Sequence, residues 1–103
     1  MSKNKNIITE VDGITFHSKK EANRWSELQL LVRAGEIRDL KRQVKYSLDV
    51  NGVHICNYYA DFTYVDCKTE TLVVEDSKGR RIQPYPIKAK LMKACHNIDI
   101  FET

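Results

Sequence analysis

Gln43-Val44-Lys45-Tyr46-Ser47-Leu48-Asp49-Val50-Asn51-Gly52 is the stretch from which the fold can be read. Val44, Tyr46, Leu48 and Val50 alternate with Gln43, Lys45, Ser47 and Asp49, the period-two pattern of a strand with one apolar and one polar face. Asn51-Gly52 accepts the positive φ angles of a type I′ turn, so the spacing predicts a hairpin into a second strand. There Tyr58, Ala60, Phe62 and Tyr64 fall on one face, and Tyr59, Asp61, Thr63 and Val65 on the other. Bulky residues on both faces predict a strand covered on two sides. A polar turn from Asp66 to Glu70 then leads to a third strand, Thr71 to Ser77, stopped by Gly79.

Toward the N-terminus, Ser18-Lys19-Lys20-Glu21 fits a capping box and opens a helix running through Val32, with Gly35 as a left-handed stop. At about 100° per residue, Ala22, Trp25, Leu28, Leu31 and Val32 share one apolar arc, and Glu21 lies near its middle. Toward the C-terminus, Pro84 and Pro86 mark the start of a second helix with Ile87, Leu91, Ala94 and Cys95 as its apolar stripe. A short strand, Ile98 to Phe101, follows. Helix, three antiparallel strands, helix, strand is an α/β (α+β) layout, a small mixed sheet with helices packed on it. A chain of 103 residues has room for one such domain, expected over residues 12–103 after a basic, polar segment 1–11.

Composition narrows the function classes. Hydrophobic residues at 42% and charged residues at 30% argue against disorder. No apolar run approaches the ~20 residues of a membrane span, and the N-terminus lacks the apolar core of a secretory signal. A cytoplasmic protein with no membrane partner is expected. Cys56, Cys67 and Cys95 are an odd number without a C-x-x-C pair, which predicts neither a disulfide framework nor structural zinc. His17, His54 and His96 show no metal-binding spacing together.

The net charge is only +3, but its distribution is uneven. From Ser77 to Ile98 there is no acidic residue, while Lys78, Arg80, Arg81, Lys88, Lys90 and Lys93 all fall there. Such a segment suits a polyanion such as DNA; a solvated helix face is the competing explanation. On a helical projection Lys90 and Lys93 fall opposite Ile87, Leu91 and Cys95, where they can meet phosphates. Lys88 projects beside Met92 and Cys95, either aimed at a phosphate near a reaction centre or snorkelling to solvent.

Three ionisable residues stand out by position. Asp61 is the one charge inside an otherwise aromatic strand, and Asp76 and Lys78, two apart, share a face with Leu72 and Val74. Pairing of the second and third strands brings Asp61 and Asp76 near one end of their hairpin. Two carboxylates there repel and need a cation, and an oxygen-rich site suits Mg²⁺ or Mn²⁺. Lys78 beside them can position a water or neutralise charge on a phosphoryl transition state. Taken alone, an Asp-x-Lys tripeptide is more often a surface pair at a strand end.

Tyr59-Ala60-Asp61-Phe62 followed by Val73-Val74-Glu75-Asp76-Ser77-Lys78-Gly79 resembles the PD-(D/E)xK motif of restriction-endonuclease-like nucleases. More closely, the chain resembles a phage and prophage family catalogued as a domain of unknown function and regarded as PD-(D/E)xK endonucleases. The similarity spans residues 12 to 102 and includes Gly13 through Phe16, Ser18 through Ala22, Gly35-Glu36-Ile37, Gln43 and Ile87 through Leu91. It implies an α-β-β-β-α-β core, matching the order read above. It further implies Asp61 and Asp76 as metal ligands, Lys78 as the motif lysine, Ser77 offering its backbone carbonyl, and Glu21 as an additional carboxylate. Ala60 stands where the motif usually has proline, a position without chemical duty. Alternation selects Asp76 over Glu75, since Asp76 points the way Lys78 does. Glu21 keeps an alternative role as the capping-box acid, and Gln43 is either a contact to DNA or metal-bound water or a solvated side chain.

The expected function is a Mg²⁺- or Mn²⁺-dependent deoxyribonuclease without a small-molecule cofactor, acting on branched, junction or flap DNA in phage recombination or replication. DNA is the implied partner, with a homodimer as an option. The alternative is a non-catalytic DNA- or protein-binding module that keeps the nuclease fold.

Overall fold

The computed structural model describes residues 9–11, 13–16, 18–77 and 85–103. Lys78, Arg80, Arg81 and Pro84, all singled out in the sequence, lie outside the described residues. The chain is a mixed α/β protein, with two helices and a four-stranded mixed sheet among the described residues. The first described element is a short hairpin that the sequence pattern did not reveal. Strands β1 (Thr9–Val11) and β2 (Ile14–Phe16) pair antiparallel across Gly13, whose φ of 78° suits glycine.

Helix α1 (Lys19–Arg33) starts as its capping signal predicts: the Ser18 hydroxyl accepts the Glu21 amide N–H at 3.1 Å. It stops in a Schellman motif. Gly35, at φ 78°, donates to the Val32 carbonyl, and Glu36 donates to that of Leu31. Ala22, Trp25 and Leu28 are buried, whereas Val32, near the middle of the predicted arc but in the last turn, is exposed.

Strands β3 (Ile37–Val50) and β4 (Val53–Asp66) form the long hairpin, and Asn51 and Gly52 both take positive φ at its turn. Strand β5 (Thr71–Asp76) pairs antiparallel with β4. Helix α2 (Tyr85–His96) crosses over to β6 (Phe101–Glu102), which pairs parallel to β5. The closing strand is thus displaced from the expected Ile98–Phe101. Ile98 and Ile100 instead pack on the core.

Two apolar clusters form. Phe16, Trp25, Leu28, Ile37, Phe62 and Tyr64 make the first, around α1, with Trp25 between the rings of Phe16 and Phe62. Leu48, Tyr58, Ala60, Val74, Tyr85 and Met92 make the second, around α2. Alternation predicted Tyr58, Ala60, Phe62 and Tyr64 on one common face; the structure divides them between the two clusters. The division falls at Asp61. Opposite Asp61 in the register stands Gln43, at a left-handed φ of 53° that interrupts regular alternation.

The apolar stripe of α2 is also rotated from its predicted position. Ile87 is 55% exposed and Ala94 is exposed, while Tyr85 and Met92 are buried. The Tyr85 hydroxyl donates to Glu102 at 2.7 Å and fixes this rotation. No helix among the described residues is long and apolar enough to cross a membrane.

Candidate functional site

The polar seam between the two clusters gathers most of the described candidate residues. Glu21 comes from the first turn of α1, Gln43 from the irregular position of β3, Asp61 from β4, and Ser77 from the end of β5. Gln43 Nε2 donates to Glu21 Oε2 at 3.1 Å and to Asp61 Oδ1 at 3.4 Å. The second oxygen of Asp61 accepts the Ser77 amide N–H at 2.8 Å and the Ser77 hydroxyl at 3.0 Å. Asp61 and Ser77 are both buried, so these bonds compensate a charge that burial alone would disfavour. Ser18 caps the helix through the Glu21 backbone, while a Glu21 carboxylate oxygen faces Gln43.

Asp76 is 1% exposed on the neighbouring strand. The pairing of Phe62 with Glu75 places Asp61 and Asp76 at adjoining positions one step further along. Asp76 Oδ2 accepts the Tyr58 hydroxyl at 2.7 Å. Burial, then that hydrogen bond, then the negative charges of Asp76 and Asp61 hold the Tyr58 phenol far above its ordinary pKa, so it remains a donor. Tyr58 was legible only as an apolar-face residue; nothing local in the sequence marks its hydroxyl as a partner of Asp76.

Glu75 has a different role, which sequence reasoning also missed. It is fully buried and meets Arg24 of α1, with Nε to Oε2 at 2.6 Å and Nη2 to Oε1 at 3.0 Å. Tyr64 donates its hydroxyl to the same carboxylate at 2.6 Å. The hydrogen bond to Glu75 raises the Arg24 pKa, and burial raises that of Tyr64. Glu75 therefore fastens α1 to the sheet while Asp76 lies on the side of the second cluster. A surface groove of about 470 Å³ opens beside this ion pair, lined by Lys19, Lys20, Asn23, Arg24, Glu27 and Thr103. Its lining does not include Glu21, Gln43 or Asp61.

Glu21 and Asp61 direct carboxylate oxygens at one shared amide N–H₂ group, where positive charge is favoured. Among the described residues no three His, Cys, Asp or Glu side chains form a group that could hold a metal, so the described acids do not make a complete carboxylate cage.

Of the basic candidates, Lys90 is exposed, Lys88 is half-buried, and Lys93 is exposed but ion-paired with Asp99 at 3.0 Å. Lys88 lies on the Tyr85–Met92 side of α2, as its predicted place beside Met92 requires.

No curated protein and no solved structure matches the chain. Residues 1–100 match the family described as Protein of unknown function (DUF1064), and the chain belongs to that family.

Proposed function

We propose that the chain is a DNA endonuclease of the PD-(D/E)xK type, cutting phosphodiester bonds with Mg²⁺ or Mn²⁺. Branched, junction or flapped DNA, as met in phage recombination or replication, is the substrate class. The carrying observation is the meeting of Glu21, Gln43, Asp61 and Ser77 at one seam, with Asp76 at the adjoining strand position. The succession α1, β3, β4, β5, α2, β6 supports the reading, since it is the order of a restriction-endonuclease-like core.

Glu21, Asp61 and Asp76 do not form a metal-holding group as they stand, so they would hold the cation only after their side chains shift; when bound it supplies Lewis acidity toward a phosphate oxygen and a more acidic water. Ser77 fixes one oxygen of Asp61 and leaves the other facing the Gln43 amide. Tyr58 orients Asp76 in the same way. Lys78, next after Ser77 in the chain, would orient the attacking water or neutralise charge on the phosphate as the leaving oxygen departs.

The test is incubation with Mg²⁺ or Mn²⁺ and supercoiled, linear, flapped and four-way DNAs. Metal-dependent cutting of the branched forms, stopped by EDTA, is expected. A second reading, a DNA- or protein-binding module without turnover, is favoured by the lack of a metal-holding trio among the described acids, His and Cys. Binding of the same DNAs without cleavage in either metal would establish it in place of the nuclease.

The basic face of α2 gives a separate prediction. Lys90→Ala is expected to weaken DNA binding regardless of sequence and to reduce the log–log salt slope by about 0.9, the value for one phosphate contact. Lys93→Ala should change the slope less, because Asp99 already neutralises Lys93. Fluorescence anisotropy over a salt series measures both, and slopes unchanged from the parent would show that α2 faces away from the DNA.

A further inference from the structure

We infer that the open face of the β3–β4 hairpin binds an unpaired nucleotide beside the seam, its base stacked on Tyr59 and its phosphate held by Lys45. This rests on the nuclease reading above and names the surface on which the unpaired strand of a flap or junction lies.

Tyr58 and Ala60 are buried in the cluster around α2, and Tyr46 packs against the same cluster. Side chains alternate along a strand, so Tyr59 and Lys45 project from the opposite face of the hairpin. The register pairs these two residues directly, which sets a ring and an ammonium group side by side. Both are open to solvent: Tyr59 is 49% exposed and Lys45 is exposed. Among the described residues no acid forms an ion pair with Lys45, so its charge is available to a phosphate.

Two residues along each strand, a step of about 6.8 Å, stand Gln43 and Asp61, so the pair adjoins the seam. Lys41, exposed beyond Gln43, adds a second cation on β3. Toward the hairpin tip, the Asp49 carboxylate is engaged by Ser47 at 2.8 Å and His54 at 2.7 Å.

A half-exposed ring is a platform for a base, since every base has a π-face, and a cation beside it takes the phosphate. Bases inside a duplex are already stacked on both faces, so such a platform selects the unpaired strand. The next pair on this face, Ser47 with Asn57, is polar, which suits a hydrated nucleic acid strand. Ile55, nearer the tip, is exposed apolar surface, so contact with a second copy of the chain is the competing outcome.

Fluorescence anisotropy of the intact protein, with a blunt duplex and the same duplex carrying an oligothymidine flap, tests this. In EDTA, which stops cleavage, the parent is expected to bind the flapped duplex more tightly. Tyr59→Thr keeps a strand-forming residue and deletes the ring. It is expected to weaken flap binding about five- to a hundredfold, the range for one lost base stack, and to leave the blunt duplex unchanged. Tyr59→Phe should bind as the parent does. Lys45→Ala should lower the log–log salt slope on the flapped duplex by about 0.7, the value for one single-strand phosphate. A parent without preference for the flap, or Tyr59→Thr losing nothing or losing equally on both DNAs, overturns the stacking site and leaves the nuclease reading standing. So does a parental dimer that Tyr59→Thr dissolves while flap binding persists. Failure of the parent to bind either DNA, in EDTA or in Ca²⁺, overturns both.

Discussion

Asp61→Asn should reduce metal-dependent DNA cleavage by about a hundred- to a thousandfold, the range seen when one preorganised charge-stabilising group is removed. The fold should survive. An asparagine oxygen can accept the Ser77 amide and hydroxyl in place of Asp61 Oδ2. Its N–H₂ group then faces Gln43, whose amide can turn to present its carbonyl. The bonds to Ser77 are kept and the negative charge is lost, while the turned amide gives up its bond to Glu21, so the chemistry changes far more than the packing. Cleavage assays on a flapped duplex, paired with a melting curve, read the two effects separately. A D61N protein that cuts at the parental rate would remove Asp61 from the reaction.

The second large effect concerns stability and lies at Glu75 on the neighbouring strand β5. Arg24→Met strips the guanidinium from Glu75, a carboxylate that the fold buries completely. Leaving such a charge uncompensated costs about 3–5 kcal/mol. A domain of this size has a total stability of about 5–15 kcal/mol, so the loss should be evident in urea unfolding. Tyr64 still donates to Oε1, which keeps the cost from being larger. The double change Arg24→Met with Glu75→Gln should recover much of it, because the amide carbonyl can still accept from Tyr64 and no charge remains. A single-variant loss below about 1 kcal/mol, the level of a surface pair, would mean that water compensates Glu75 in the variant.

What the sequence disclosed was mainly what nearby residues decide. Ser18 with Glu21, Gly35 after the last helical turn, and Asn51-Gly52 between alternating runs are local devices, and each is found at its predicted position. The hidden features depend on partners far along the chain. Arg24 and Glu75 are 51 positions apart, so nothing near Glu75 distinguishes its anchoring role from that of Asp76. Tyr85 and Glu102, 17 apart, set the rotation of α2 and expose Ile87 against the expectation of its apolar character. Strict alternation cannot foresee that Gln43 turns left-handed, and so could not foresee that the apolar row of β4 changes cluster at Asp61. At the candidate site, the residue types and their order were legible. Their hydrogen bonds, and the separate duties of Glu75 and Asp76, were not.

The irregular path of β3 has a bearing on solubility as well as on chemistry. This strand is the outermost of the four-stranded sheet and is 14 residues long. A regular edge of that length would offer a row of backbone donors and acceptors to another chain and invite sheet-to-sheet growth. Here Asp39 and Gln43, both at positive φ, break the row twice. Arg38, Lys41 and Lys45 add exposed positive charge along the same strand. Straightening the strand at Gln43 would therefore do more than unseat a side chain: it would lengthen a template for aggregation.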